Sequence, residues 1–149
     1  MSKHVRIGII GSGGIAKAHV SAYRKLPFVE IVAVADVIPG KAADFVEALQ
    51  LDGAAAYDGH RKLLEQELDA VSICTPNVSH HETTVDSLKA GKQVLLEKPM
   101  SVTLAEALEM TQVARDTGNM LTIGFQPRYD PNMKLLQEIV QSGRLGKVY

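Results

Sequence analysis

The residues best suited to chemistry stand at 11–16, where Gly11-Ser12-Gly13-Gly14-Ile15-Ala16 fits the spacing G-x-G-x-x-[G/A]. Each small residue answers a separate need. Gly11 permits a tight turn, Gly13 lets a pyrophosphate approach the main chain, and Ala16 keeps the following helix close to a sheet. The run VRIGII at 5–10 reads as a buried strand and the stretch after the glycines as a helix. That helix would turn free N–H donors and a positive dipole end toward phosphate oxygens. A tight strand-to-helix turn with no ligand has the same local sequence, and the placement between strand and helix favours anion binding. Asp36, 25 residues beyond Gly11, closes the run EIVAVAD at 30–36, close to the spacing at which an acid hydrogen-bonds the adenosine ribose hydroxyls. A 2′-phosphate would meet like charge there, and no Lys or Arg follows before Lys41. The pattern therefore favours NAD over NADP, the alternative for Asp36 being a solvated carboxylate at a strand end.

These positions need elements to hold them. Apolar, β-branched runs at 5–10, 30–36, 70–75, 93–98 and 120–125 alternate with helical stretches. Continuous apolar strands are buried on both faces, which predicts an α/β fold, a doubly wound parallel sheet of about six strands with helices on both faces. Ser79 with Glu82 and Thr103 with Glu106 have capping-box spacing, and Asp130-Pro131 opens a further helix. Gly91, Gly118 and Gly143 stand where helices should stop. The stripe Leu136, Ile139, Val140 reads as core packing.

The totals narrow the function classes. With 149 residues, 46% hydrophobic content and a net charge of −1, the chain suits one globular domain and offers no basic surface for nucleic acid or membrane. MSKHVRI lacks the apolar core of a secretion signal, and no run approaches the roughly 20 residues of a membrane span, so the expected location is cytoplasmic. The single cysteine, Cys74, rules out an intramolecular disulfide and Cys-rich metal sites, and no metal is expected. A small buried hydrophobe is its expected role.

The stretch ICTPNVSHHETTVDSLKAGKQVLLEKPMSVTLAEALEM, residues 73–110, resembles the glucose-fructose oxidoreductase/inositol dehydrogenase family, often written Gfo/Idh/MocA. Several separated motifs occur in the family's order: the glycine loop, Thr75-Pro76-Asn77 with His80, Ala90-Gly91-Lys92, and Glu97-Lys98-Pro99. The resemblance implies a nicotinamide-dependent oxidoreductase acting on sugars, cyclitols and related polyols, and Asp36 favours NAD as that cofactor. It implies that Thr75, Pro76 and Asn77 line the cofactor, with Asn77 toward the ribose or nicotinamide side. His80 would either touch the cofactor or pack in the first turn of its helix. By itself a Lys-Pro pair reads as a solvated turn. The resemblance instead places Lys98 near the reactive nicotinamide carbon and the substrate hydroxyl, with Glu97 beside it and Pro99 joined by a cis bond. Lys98 would hydrogen-bond the oxygen that gains negative charge, or help remove the alcohol proton. Gln126 and Arg128, in IGFQPRYDP, would face the nicotinamide end or the substrate, although Pro127 between them departs from the family's pattern.

The expected organisation is a dinucleotide-binding domain over 1–125, then a connecting helix and lead into a second, substrate-completing domain over 126–149. In the family that second domain often mediates oligomerisation, and apolar surface left without it would favour self-association. On this reading the chain alone binds cofactor without turnover. An NAD(H)-binding regulatory or sensor module is the alternative, disfavoured by Glu97-Lys98-Pro99.

Overall fold

A computed structural model describes residues 4–148. Residues 1–3 and Tyr149, the outer ends of the two expected segments, lie outside the described residues. Six parallel strands, β1 (Val5–Ile10), β2 (Val29–Ala35), β3 (Ala55–Tyr57), β4 (Ala70–Ile73), β5 (Gln93–Leu96) and β6 (Leu121–Ile123), form one sheet in the order β3-β2-β1-β4-β5-β6. The order reverses between β1 and β4, which opens a crevice at the carboxyl ends of those strands. The helices are α1 (Gly14–Tyr23), α2 (Lys41–Ala48), α3 (His60–Leu64), α4 (His80–Lys89), α5 (Leu104–Thr117) and α6 (Pro131–Gln141).

Alternation along the strands sends neighbouring residues to opposite faces. Ile9 and Val34 join Ala16, Val20 and Phe45 under α1 and α2. Ile10, Ala33, Val71 and Ile73 pack with Leu63, Leu88 and Met110 under α3, α4 and α5. The doubly wound fold with helices on both faces is thus the observed one. Gly8 explains its own place in a strand: a Cβ there would come within 2.8 Å of Leu63 Cδ2, so the missing side chain lets α3 close onto β1.

Three details differ from the expectations. Strand β3 is only three residues, too short to show as a periodic run. Ser79 does not cap α4, because a 3₁₀ turn over Asn77–Ser79 leads directly into the helix and leaves Ser79 itself helical. Its partner Glu82 accepts from Arg61 instead, at 2.7 Å. The Thr103–Glu106 capping box forms, and Asp130 accepts from the N–H groups of Asn132 and Met133. The stripe on α6 is not core packing: Leu136 and Val140 are exposed and no residue of α6 is buried. The helix follows the edge strand β6 and packs on the turn just before it, so no sheet face lies beneath the stripe.

Candidate functional site

Four of the six strands stop just short of residues expected at the site. Gly11, Asp36, Cys74-Thr75 and Glu97-Lys98 follow the last residues of β1, β2, β4 and β5, at the one edge where ligands of open parallel sheets bind. Between the ends of β1, β2 and β4 lies a cleft of about 210 Å3, lined among others by Gly11, Asp36, Val37, His60, Thr75 and Thr83.

The glycine loop has the shape its sequence predicts. Gly11 takes φ +92°, and a Cβ would lie 2.7 Å from the Cys74 carbonyl group, so the turn and the close approach of β4 both require glycine. A Cβ on Gly13 or Gly14 would meet nothing within 4 Å. The N-terminus of α1 carries no side-chain cap and no acid in its first turn, which leaves the N–H groups of its opening residues without intrahelical acceptors beside that open space. Ile15 lies partly exposed on the rim, and Ala16 is fully buried against the sheet.

Ser12 has a different task from the phosphate contact expected of the loop. Its N–H and its hydroxyl both donate to Asp36 Oδ2, at 2.9 and 2.7 Å. The ammonium of Lys41 donates to the same oxygen at 2.9 Å, and the Ile38 N–H reaches Oδ1 at 3.1 Å. Burial pushes the Asp36 carboxyl up, but the hydrogen bonds from Lys41, Ser12 and Ile38 outweigh it and hold the group below the ordinary carboxylate range. With three donors on Oδ2 and one on Oδ1, the remaining acceptor capacity for a sugar hydroxyl is on Oδ1. Lys41, the first cation after Asp36, is carried back to it by the Pro39-Gly40 turn, where Gly40 has φ +77°.

Thr75, on the wall of the cleft, has its Oγ1 buried without a hydrogen-bond partner among the described residues. An orphaned buried hydroxyl there fits a ligand that brings its own polar atom. Together with the open space over Gly13 and the uncapped helix end, it makes these residues a fit for a dinucleotide. Asn77 is exposed in the 3₁₀ turn that follows Pro76.

His80 is completely buried, and its two ring nitrogens face the main-chain oxygens of Pro99 and Thr75, at 2.7 and 3.0 Å. No ring nitrogen remains for a ligand, so direct cofactor contact gives way to a bridge between two loops. The Lys98–Pro99 bond is cis, as the resemblance implied. Lys98 is exposed, and its ammonium has no hydrogen-bond or ion-pair partner among the described residues. Glu97 is turned inward, 5% exposed, with Oε1 at 2.8 Å from His19 Nε2. Cys74 is buried, and burial, with the nearby Glu97 charge, pushes its thiol up to about 12, consistent with a packing role. Gln126 and Arg128 sit exposed in a 3₁₀ turn after β6. Arg128 stacks over Phe125 at 5.9 Å, and no hydrogen bond joins either residue to the Lys98 turn among the described residues.

Sequence reasoning missed Val37, His60 and Thr83 on the cleft wall, as well as His19. His60 begins α3 and is held by Asp86 at 2.9 Å. It also forms a metal-like cluster with Glu82 and Asp86, but both carboxylates are engaged by Arg61.

A family profile described as an oxidoreductase family with an NAD-binding Rossmann fold matches residues 5–125. The chain is 37% identical over 150 residues to D-glucoside 3-dehydrogenase of Escherichia coli, covering 99% of this chain and 42% of that protein. It is 32% identical over 143 residues to myo-inositol 2-dehydrogenase of Thermotoga maritima, covering 96% of this chain and 42% of that protein. The crystal structure of scyllo-inositol dehydrogenase from Lactobacillus casei with bound NAD(H) and scyllo-inositol superposes with a TM-score of 0.85 at 25% identity, over 97% of this chain and 43% of that one. The chain therefore spans less than half the length of the relatives it matches. No helix among the described residues is long and apolar enough to cross a membrane.

Proposed function

The chain belongs to the oxidoreductase family with an NAD-binding Rossmann fold that includes the inositol dehydrogenases and MocA, and we propose that it is the cofactor-holding part of a dehydrogenase of sugars, cyclitols or related polyols. The observation that carries this reading is the convergence, at one sheet edge, of an uncapped helix end over open space, an ionised Asp36 and a free ammonium on Lys98. The opening N–H groups of α1, from Gly13, Gly14 and Ile15, hold the diphosphate. Asp36 accepts a ribose hydroxyl on Oδ1, and Ser12 and Lys41 keep that carboxylate fixed and charged. The Thr75 hydroxyl meets a polar atom of the dinucleotide, and Pro76 and Asn77 border it further along.

When bound, the cofactor supplies the nicotinamide ring that gives or takes a hydride. Lys98, as the ammonium, donates a hydrogen bond to the substrate oxygen as negative charge develops there. In the oxidative direction its amine accepts the proton of the alcohol. Gln126 and Arg128 lie on the substrate side of that edge, with the substrate pocket completed by parts of the longer protein. The chain alone binds the dinucleotide and does not turn over substrate, and the longer protein works in the cytoplasm, as a homo-oligomer.

Titrating the chain with NADH, followed by nicotinamide fluorescence, tests the cofactor assignment: saturable binding is expected, and no binding at millimolar NADH would overturn it. In the longer protein, Lys98→Met should abolish polyol oxidation while leaving NADH affinity within about twofold; unchanged turnover would remove Lys98 from the chemistry.

A further inference from the structure

Nothing among the described residues holds the Lys98 ammonium, so its aim depends on the main chain on either side of it. Both sides are tied down by histidines from different helices, His80 fully buried and His19 largely so. Ahead of Lys98, the Glu97 carboxylate accepts from His19 Nε2 of α1 at 2.8 Å, and the two side chains are 7% and 10% exposed. His19 is set in turn by Ser72, fully buried on β4, whose Oγ lies 3.3 Å from His19 Nδ1 and also meets the Tyr23 hydroxyl. One donor order satisfies the whole chain: Tyr23 to Ser72, Ser72 to His19 Nδ1, and His19 Nε2 to Glu97. Behind Lys98, the Pro99 carbonyl lies 2.7 Å from Nδ1 of the fully buried His80 on α4, whose Nε2 lies 3.0 Å from the Thr75 carbonyl. With a single ring proton the shorter bond, to Pro99, is the one kept; with two, both form.

We propose that His19 and His80 are positioning residues that fix Lys98 from its two sides, each binding a neighbour of Lys98 and neither touching substrate. The proposal rests on the reading of Lys98 given above. It also gives α1 two tasks, a diphosphate at its first turn and the carboxylate beside the reacting lysine one turn later. Correct placement of a reacting group is where small displacements are most costly, a misplacement of about 1 Å reducing rate by about a hundredfold.

Two measurements on His19→Leu, His19→Gln, His80→Leu and His80→Gln test it. In the chain itself, ¹⁵N heteronuclear NOE values at Lys98 and Met100 should match those of β5 in the wild type and fall toward loop values in both Leu variants. In the longer dehydrogenase, the Leu variants should lose at least about tenfold in kcat, with KM and NADH affinity within about twofold, and His19→Gln, which retains a donor for Glu97, should recover most of the loss. Unchanged NOE values, or kcat and NADH affinity falling together, would overturn the proposal. If His80→Leu does not fold, His19→Leu decides by the same criteria, and His80→Gln, which retains a donor for the Pro99 carbonyl, should keep NOE values near those of the wild type. A wild type that oxidises no polyol would defeat the functional reading alone, and the NOE comparison would still decide the anchoring.

Discussion

Ser12 and Asp36, 24 residues apart, are joined twice: the main-chain N–H of Ser12 at 2.9 Å and its hydroxyl at 2.7 Å converge on one carboxylate oxygen. The glycine loop and the end of β2 are thereby tied together, so that on the proposed reading the acid assigned to the ribose is set by the loop assigned to the diphosphate. Ser12→Ala removes the hydroxyl and leaves the N–H. It should cost about 1.5–3 kcal/mol in urea unfolding, the range for a buried hydrogen bond to a charged group. NADH affinity, read by fluorescence titration, should fall by less than about tenfold, because the helix end itself is untouched.

The depressed titration of Asp36 makes a signed prediction. A carboxylate whose folded-state value lies below its ordinary 3.8 adds stability that is present in full above that value and is lost as pH falls through the lower, folded-state one. The difference in unfolding free energy between wild type and Asp36→Asn should be about 2 kcal/mol at neutral pH and hold steady down to about pH 5. Below pH 4 it should shrink. A difference that stayed constant from pH 7 to pH 3 would show that Asp36 does not ionise differently in the fold.

Lys41 bears on which dinucleotide is accepted. Its ammonium pairs with Asp36 Oδ2 at 2.9 Å and offsets the charge that, on the proposed reading, a 2′-phosphate would meet. Lys41→Ala should leave NADH affinity within about threefold and weaken NADPH by about tenfold or more, widening the preference for the unphosphorylated form. Parallel titrations with the two reduced cofactors measure this directly, and equal losses for both would show that Lys41 plays no part in the choice.

Much of the fold was legible because buried parallel strands write long apolar runs and helices write their caps, as Thr103 with Glu106 and Asp130 with Pro131 do. Ser79 carried the same cap signal and failed, since a 3₁₀ turn extended the helix backward past it. The three residues of β3 are held by pairing with β2, not by a pattern of their own. The glycine loop announced its position but not the division of labour within it, because Ser12 binds a residue on another strand. Lys41 had a local signal, the Pro39-Gly40 turn, which a count of residues from Asp36 overlooks. The tasks of His19 and His80 depend on contacts 78 and 19 residues away, beyond any local pattern. The stripe on α6 reads as apolar in sequence wherever its covering surface comes from.

The cradle for the diphosphate is tested most directly by comparing Gly13→Ala with the wild-type chain, both for melting temperature and for NADH affinity. Apart from its chain neighbours, a methyl on Gly13 meets no atom of the described residues within 4 Å and suits the local φ of −83°, so melting should shift by only a few degrees while NADH binding weakens at least about tenfold. Gly11→Ala, driven into Cys74, should lose stability instead. If Gly13→Ala bound NADH as tightly as the wild type, the diphosphate would not lie over that helix end.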